Sequence, residues 1–346
     1  MKDCPRFKGL AALILILIAT MFLVVEPQAG LGPDNFRFVV YADSPGGWTQ
    51  GQEINTAALH YINTQIVNLN PKPDLVFFLG DMAKVAYDAN GKRLLPDWKN
   101  LMEADGFSFG GPSPGKIPLY VAIGNHELYD NTGNYLASLQ GEYQYFFSEM
   151  PDNGPSAYNK LAYGVEFGNS LFIVLDTFGF VDGNKNWDNG IDELQYWWFY
   201  ATALQSQAKH KFVLTHGPAY STEGWPVGNP TTRDMVWQTM KELHFDMYLC
   251  GHEHLYARWK PDGILTQIVS GSAGATPDDP KLLLPISKSV YPIRAAWDYN
   301  FTVVDVQGDQ VTAQAYAVRP RPSPTYTVKV DPICPDGALL LLLLEP

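Results

Sequence analysis

Cysteine is scarce in this chain: three in 346 residues, at Cys4, Cys250 and Cys334. Cys4 falls in a terminal segment that reads as a leader, and the two remaining thiols do not make a disulfide framework. Cys250, in the apolar run FDMYLC, reads as a buried small hydrophobe. Positive charge is also short. Lys and Arg number 24 against 36 Asp and Glu, for a net charge of −12 and a pI near 4.9. No basic run occurs, which excludes the electrostatic footprint of a protein that grips a nucleic-acid backbone. A phosphate substrate is not excluded, because bound divalent cations would be the largest local charges and would reverse the potential of a site. Internal repeats are lacking, and so is any linker long or polar enough to demand a second domain. The terminal apolar run at 338–344 is too short to span a bilayer.

What is present is apolar residue, at 46% of the chain, enough at this length for a large core. The N-terminus carries Lys2, Arg6 and Lys8, then an uncharged run over 9–25, then EPQAG with Ala29 as a small residue for cleavage. That is the layout of a secretory signal. The run is long for a signal core and just short of a span of about 20 residues, so an uncleaved anchor stays open beside cleavage. The expected organisation is a signal peptide or N-terminal anchor over 1–29, a single domain over 30–330 and a tail over 331–346. The expected location is outside the cytoplasm, periplasmic or secreted, with membrane association through the N-terminus as the anchored form of that reading.

Beyond the leader one theme recurs: an apolar run of strand length ends abruptly at a polar residue. The runs are FRFVVYAD (36–43), DLVFFLGD (74–81), IPLYVAIGNHE (117–127), SLFIVLDT (170–177), KFVLTHGP (211–218) and FDMYLCGHEH (245–254). Helical segments are expected between them at 51–69, 192–207 and 231–243. Strands this apolar, alternating with helices, predict an α/β fold with strands covered on both faces. Near the C-terminus GILTQIVSGSAG, YNFTVVDVQGDQVTAQAYAV and TYTVKV read as strands joined by turns, with a hairpin signal at 307–310. The outcome expected is a mixed sheet or two stacked sheets. His210 and His244 read as helix-end residues rather than ligands.

In open α/β sheets ligands bind beyond the carboxyl ends of the strands. The residues that end these runs should therefore converge: Asp43, Asp81, Asn125 with His126, His216, and His252 with His254. Each alone is weak. An Asp after a strand is most often a cap or turn residue, GNHE could be an ordinary loop, and a lone His is more often structural. GHEH is sharper, because two His one residue apart point to the same side of an extended chain. Two carboxylates, an amide oxygen and several imidazoles make a mixed O/N set suited to Mn, Fe or Zn rather than to the oxygen-only cage of Ca²⁺. Six ligands are too many for one tetrahedral ion. They suit two ions about 3.5–4 Å apart, the clamp used for in-line displacement at phosphorus.

With these motifs in order, the chain resembles the calcineurin-like metallophosphoesterases, a family that includes purple acid phosphatases, phosphodiesterases and nucleotidases. The resemblance runs from about residue 36 to 318 and rests on Asp43, the GD of 80–81, GNHE (124–127), the His of VLTHGPAY (213–220) and GHEH (251–254). It implies a four-layer αββα sandwich with two mixed sheets, two divalent or trivalent ions, and cleavage of a phosphate monoester or diester by metal-activated water. By matching position, Asp81 would bridge the ions, Asn125, His216 and His252 would complete one shell, and Asp43 and His254 would serve the other. His126 resembles the residue that contacts the phosphate and protonates or steadies the leaving oxygen.

The resemblance has one gap. In much of the family the residue two places after the first Asp is a His ligand, and here it is Pro45. Purple acid phosphatases lack that His too but supply a Tyr three places after the second Asp, and here that residue is Lys84. No tyrosinate–iron colour is therefore expected. Three explanations stand: water or substrate fills the position; a residue such as Tyr87, Asp88 or Glu127 reaches in; or the ion at Asp43 is held weakly. The tight turn of Pro45, Gly46 and Gly47 would let backbone approach the site closely.

Substrate choice should reside in the loops 178–190, 219–230 and 271–280, where Trp187, Tyr220 and Trp225 could stack on a base or sugar, or simply pack their own loops. The substrate classes expected are a small phosphate ester, a nucleotide or a lipid head group, with no nucleic acid. A catalytically weak or inactive binding or scaffold protein on the same fold is the alternative.

Overall fold

Strand β1 (Asn35–Tyr41) is buried from Phe38 onward because both of its faces are covered, and that double coverage organises the molecule. The structure, a computed structural model, describes residues 33–47, 51–178, 190–221, 230–277 and 294–318. The leader, the tail, the run TYTVKV and the substrate-loop residues Trp187 and Trp225 lie outside the described residues, as do both expected domain boundaries.

Two mixed sheets stack face to face. The first contains β13 (Gln310–Val318), β12 (Tyr299–Gln307), β1, β2 (Leu75–Phe78), β4 (Ile117–Val121) and β3 (Phe107–Phe109), in that spatial order. Strands β1, β2, β4 and β3 run parallel, while β12 pairs antiparallel with β1 from Asn35↔Gln307 to Val40↔Thr302. The expected hairpin at 307–310 closes β12 onto β13. In the second sheet the order is β11 (Arg294–Ala296), β9 (Tyr256–Trp259), β10 (Thr266–Ser270), β8 (Met247–Cys250), β7 (His210–Leu214), β6 (Ser170–Val174) and β5 (Tyr163–Phe167). Its middle strands β6, β7, β8 and β10 are parallel and its flanks antiparallel.

Phenylalanines weld the two sheets together. Phe38 of β1 meets Phe172 of β6 at 4.9 Å and Phe212 of β7 at 5.0 Å, and Phe77 of β2 meets Phe172 at 4.9 Å. Burying each such ring is worth about 1.5–3 kcal/mol, with up to ~1.5 more from edge-to-face contact. The period of two sends the neighbouring residues outward to the helices. Phe78 packs on Trp98 of α2 (Leu95–Ala104) at 4.8 Å, beside α1 (Thr56–Val67) and α3 (Ala137–Phe146). On the second sheet, Trp237 of α5 (Pro230–Glu242) meets Tyr248 at 6.2 Å, while Tyr196 of α4 (Glu193–Gln205) bonds Thr239 of α5 at 3.0 Å. The layers are thus αββα.

Caps explain the helix starts: Asn55 accepts from Ala58 N–H at 3.2 Å and Asp192 from Gln195 N–H at 2.8 Å. His210 departs from expectation. It opens β7 instead of ending a helix, and its ring bridges Asp246 at 3.1 Å and the Gly308 carbonyl at 2.9 Å. Among the described residues no helix is long and apolar enough to cross a membrane.

Candidate metal centre

All seven candidate residues meet at one edge, where β1, β2, β4, β7 and β8 end. Three of them, Asp43, Asp81 and His252, adopt left-handed backbone at φ 63°, 55° and 72°. That conformation costs a non-glycine residue of order 1–3 kcal/mol, so the surroundings must enforce it. They do so with hydrogen bonds. Asp43 N–H donates to the Gly80 carbonyl at 3.1 Å, Asp81 N–H to Glu127 Oε2 at 2.9 Å, and His252 N–H to Asp43 Oδ2 at 2.9 Å. Glycine lets the two loops touch: a Cβ on Gly124 would lie 2.3 Å from Asp81 Oδ1, and one on Gly80 would lie 2.7 Å from Gly124 N.

The donor atoms fall into two triads that share Asp81. Ligand atoms of Asp81, His216 and His252 lie within 4.8 Å of one another, and so do those of Asp43, Asp81 and His254. Asn125 Oδ1 joins the first group, 3.1 Å from His216 Nε2 and 3.0 Å from His252 Nδ1. His216 Nε2 is 3.2 Å from Asp81 Oδ2, and His254 Nε2 is 3.8 Å from Asp43 Oδ1. Asp43 and Asp81 are buried, so their charge is little relieved by solvent. Such a donor set fits two cations of the borderline class bridged by one carboxylate.

Carbonyls orient the rings, as is usual around metal-binding imidazoles. His216 Nδ1–H donates to Leu79 O at 2.6 Å, which turns its Nε2 toward Asp81. His126 Nδ1–H donates to Lys84 O at 2.6 Å, leaving its Nε2 at 3.7 Å from Asp81 Oδ2. The His126 side chain is 18% exposed against 1% for Asp81, so it sits at the mouth where a substrate would enter. Phe178 packs against the rings of His216 and His252 at 5.4 and 5.3 Å.

The field inside the site favours positive charge near Asp81. Burial opposes ionisation of Asp81, yet His216 and His126 outweigh it and hold its carboxyl below the usual range. Burial pulls His216 down and Asp81 more than restores it. His252 goes the other way: burial, with His216 beside it, depresses its pKa to about 3. The unfolded chain therefore takes a proton at His252 as pH falls below about 6.5 while the folded one refuses it, and stability is lost toward pH 3. Glu127, pushed up to about 7 by burial and Asp81, has the opposite slope, as does the raised His216. The difference between wild type and His252→Gln isolates the term. Urea unfolding of metal-stripped protein should show wild type losing about 1 kcal/mol relative to the variant between pH 6 and 5, and a flat difference would contradict the burial of a neutral His252.

The gap at Pro45 is answered in part. Tyr87 spends its hydroxyl on Glu142 of α3, at 2.5 and 2.6 Å from the two oxygens. Asp88 accepts from the N–H groups of Asn90 and Lys92 in its own turn. Glu127 accepts three backbone amides: Asp81 at 2.9 Å, Gly124 at 2.7 Å and Met82 at 2.7 Å. All three carry other bonds. The backbone that the glycine turn approaches closely is that of Gln52 and not of the site: a Cβ on Gly46 would lie 1.8 Å from the Gln52 carbonyl oxygen. Tyr220 packs edge-on against Trp237 at 4.9 Å under the Arg233 guanidinium, the packing alternative rather than the stacking one.

A calcineurin-like phosphoesterase profile matches residues 36–256, and the chain belongs to that family. No curated protein matches it at a significant level. The fold is similar to that of the purple acid phosphatase PPD1 from yellow lupin (Lupinus luteus) seeds, at 18% identity and a TM-score of 0.61 over 88% of this chain. That match spans 54% of the lupin chain, so this chain answers to about half of it. A dimetal phosphatase from Danio rerio aligns at 14% identity and TM-score 0.55, covering 82% of this chain and 96% of that one. GAP50, the anchor in the inner membrane complex of Plasmodium, aligns at 17% identity and TM-score 0.55, covering 87% and 90%. Likeness at these identities speaks for the fold, and the family match for a metal-dependent phosphoesterase.

Proposed function

We propose that this chain is a dinuclear metallophosphohydrolase that cleaves a small phosphate monoester or diester. The observation that carries the reading is the pair of triads sharing Asp81, with His126 beside them at the mouth. Asp81 would bridge the two ions; Asn125, His216 and His252 would complete one shell, and Asp43 and His254 would hold the other ion. Bound there, the ions supply Lewis acidity at the phosphoryl oxygens and an acidified water. The chain's own groups do the rest. The Lys84 and Leu79 carbonyls fix the rings of His126 and His216, Glu127 fixes the loop that carries Asp81, and His126, protonated at Nε2, donates that proton to the departing ester oxygen. Nucleotides and lipid head groups belong to the substrate range, and the site of action lies outside the cytoplasm if the apolar 9–25 run directs export, with 30–330 acting as one domain.

His126→Ala is expected to keep both metals and to lose about 10²–10⁴ in hydrolysis of model esters, the usual worth of a general acid. Elemental analysis and initial rates check the two halves, and a fully active variant with its metals in place would remove His126 from the role. The scaffold reading has one specific support, the likeness to a protein described as an anchor. It would gain if the protein bound no metal after resupply.

A further inference from the structure

At the end of β7 remote from the metal centre, the ring of His210 stands between two acceptors. Nδ1 lies 3.1 Å from Asp246 Oδ1, in the turn before β8, and Nε2 lies 2.9 Å from the carbonyl oxygen of Gly308, in the turn that joins β12 to β13. The first contact stays within the second sheet, and the other reaches across to the first sheet. The side chain is 5% exposed, so neither contact is easily traded for water. A carbonyl oxygen only accepts, as does an ionised carboxylate, so each ring nitrogen needs a hydrogen to face its partner. Neutral histidine has one N–H, and the imidazolium has both.

The surroundings agree with that charge. Burial opposes it, but the hydrogen bonds to Asp246 and Gly308, together with the charge of Asp246, outweigh both burial and the repulsion of Lys209, and the pKa of the ring is raised. The Lys209 ammonium itself pairs with Asp309. On the other side, Lys211 donates its N–H to Asp246 Oδ2 at 3.0 Å and its ammonium to the Leu243 carbonyl at 3.3 Å. We propose that His210 is a pH-sensitive clasp: as an imidazolium it ties the β12–β13 turn of one sheet to the start of β7 in the other, and on losing a proton it gives up one of its two hydrogen bonds. Bared at Nδ1, the ring turns a lone pair toward the Asp246 carboxylate; bared at Nε2, it turns one toward the Gly308 carbonyl. Asn169 Nδ2–H also donates to the Gly308 carbonyl, at 3.0 Å, so that oxygen keeps one donor and the clasp slackens instead of springing open. A folded pKa above the ~6.5 of a free histidine means that the stabilisation is complete below that pH and is lost as pH rises through the folded value.

The test uses the full chain as purified. NMR of protein labelled with nitrogen-15 in its imidazoles, with the His210 ring identified through its own backbone amide, should show hydrogen on both ring nitrogens at pH 6. One hydrogen should leave with a midpoint above about 6.5, and the midpoint should be lower in Asp246→Asn. Urea unfolding should favour the folded wild type over His210→Gln by at least about tenfold in equilibrium constant at pH 6, the usual worth of a hydrogen bond to a charged group, and by about twofold at most at pH 9. A ring already neutral at pH 6 would overturn the proposal, and so would a stability difference equal at the two pH values. Should His210→Gln fail to fold, the ring titration in wild type and Asp246→Asn decides alone, and a midpoint that Asp246→Asn leaves unmoved would overturn the clasp.

Discussion

Asp81→Asn should leave the folded protein with fewer than two metals per chain and lower ester hydrolysis by at least about 10³. Asn tolerates the left-handed backbone at φ 55°, and its one oxygen can still accept the His126 N–H that Asp81 Oδ1 accepts at 2.9 Å. The fold is therefore spared and the change is confined to charge and to the second oxygen. That oxygen, 3.2 Å from His216 Nε2, belongs to the carboxylate common to both triads. An amide nitrogen there has no lone pair to share with a cation. Lewis-acid catalysis is worth several kcal/mol, and about 4 kcal/mol corresponds to three decades in rate. Metal content after extensive dialysis is the direct check. Two ions retained by Asp81→Asn would mean that Asp81 does not bridge.

The second large effect belongs to Glu127→Gln, where two terms oppose. Burial and the neighbouring Asp81 push the Glu127 carboxyl up to about 7, so removing its charge relieves a cost. Against that, its two oxygens accept three backbone N–H groups, and a Gln would turn an NH₂ donor toward at least one of them. Each buried donor left unpaired costs about 1–3 kcal/mol. Those N–H groups belong to Asp81, Met82 and Gly124, the backbone that sets Asn125 and the carboxylate common to both triads, so the polar term should prevail. The expected net loss is about 2 kcal/mol of stability in the metal-loaded protein, together with metal affinity about 10–100-fold weaker, the usual effect of disturbing groups behind a ligand. Glu127→Asp, a shorter carboxylate, should recover part of the affinity. Denaturant midpoints and chelator competition read the two quantities separately. A Gln variant as stable as wild type, with its metals held as firmly, would reduce Glu127 to a filler.

Much of this was legible along the chain because the relevant chemistry sits where local patterns change. An apolar strand that stops at Asp43, Asp81, Asn125, His216 or His252 announces itself by composition, and a strand end in an α/β fold is where such residues are useful. Short elements were not legible in that way. Strands β3 and β5 and helices α2 and α3 carry too few periodic residues, or too mixed a face, to stand out, and they exist because the sheets and the outer layers need them. Tyr220 shows the same limit in the other direction, since its sequence allowed stacking on a ligand and only its neighbours Trp237 and Arg233 show where the ring is spent.

By itself the sequence determined the alternating α/β class, the side chains that converge as the candidate metal centre and the two departures at Pro45 and Lys84. Tertiary structure alone decided that β1 pairs with β12, more than 260 residues away, so that the chain divides into two sheets rather than one. It decided that Glu127 would clamp three backbone amides, and that the Leu79 and Lys84 carbonyls would aim two imidazoles. The physical reason is the same in each case. Side-chain chemistry is written residue by residue, whereas backbone carbonyls and amides are identical along the chain and acquire a role only when folding brings a particular one within about 3 Å of its partner.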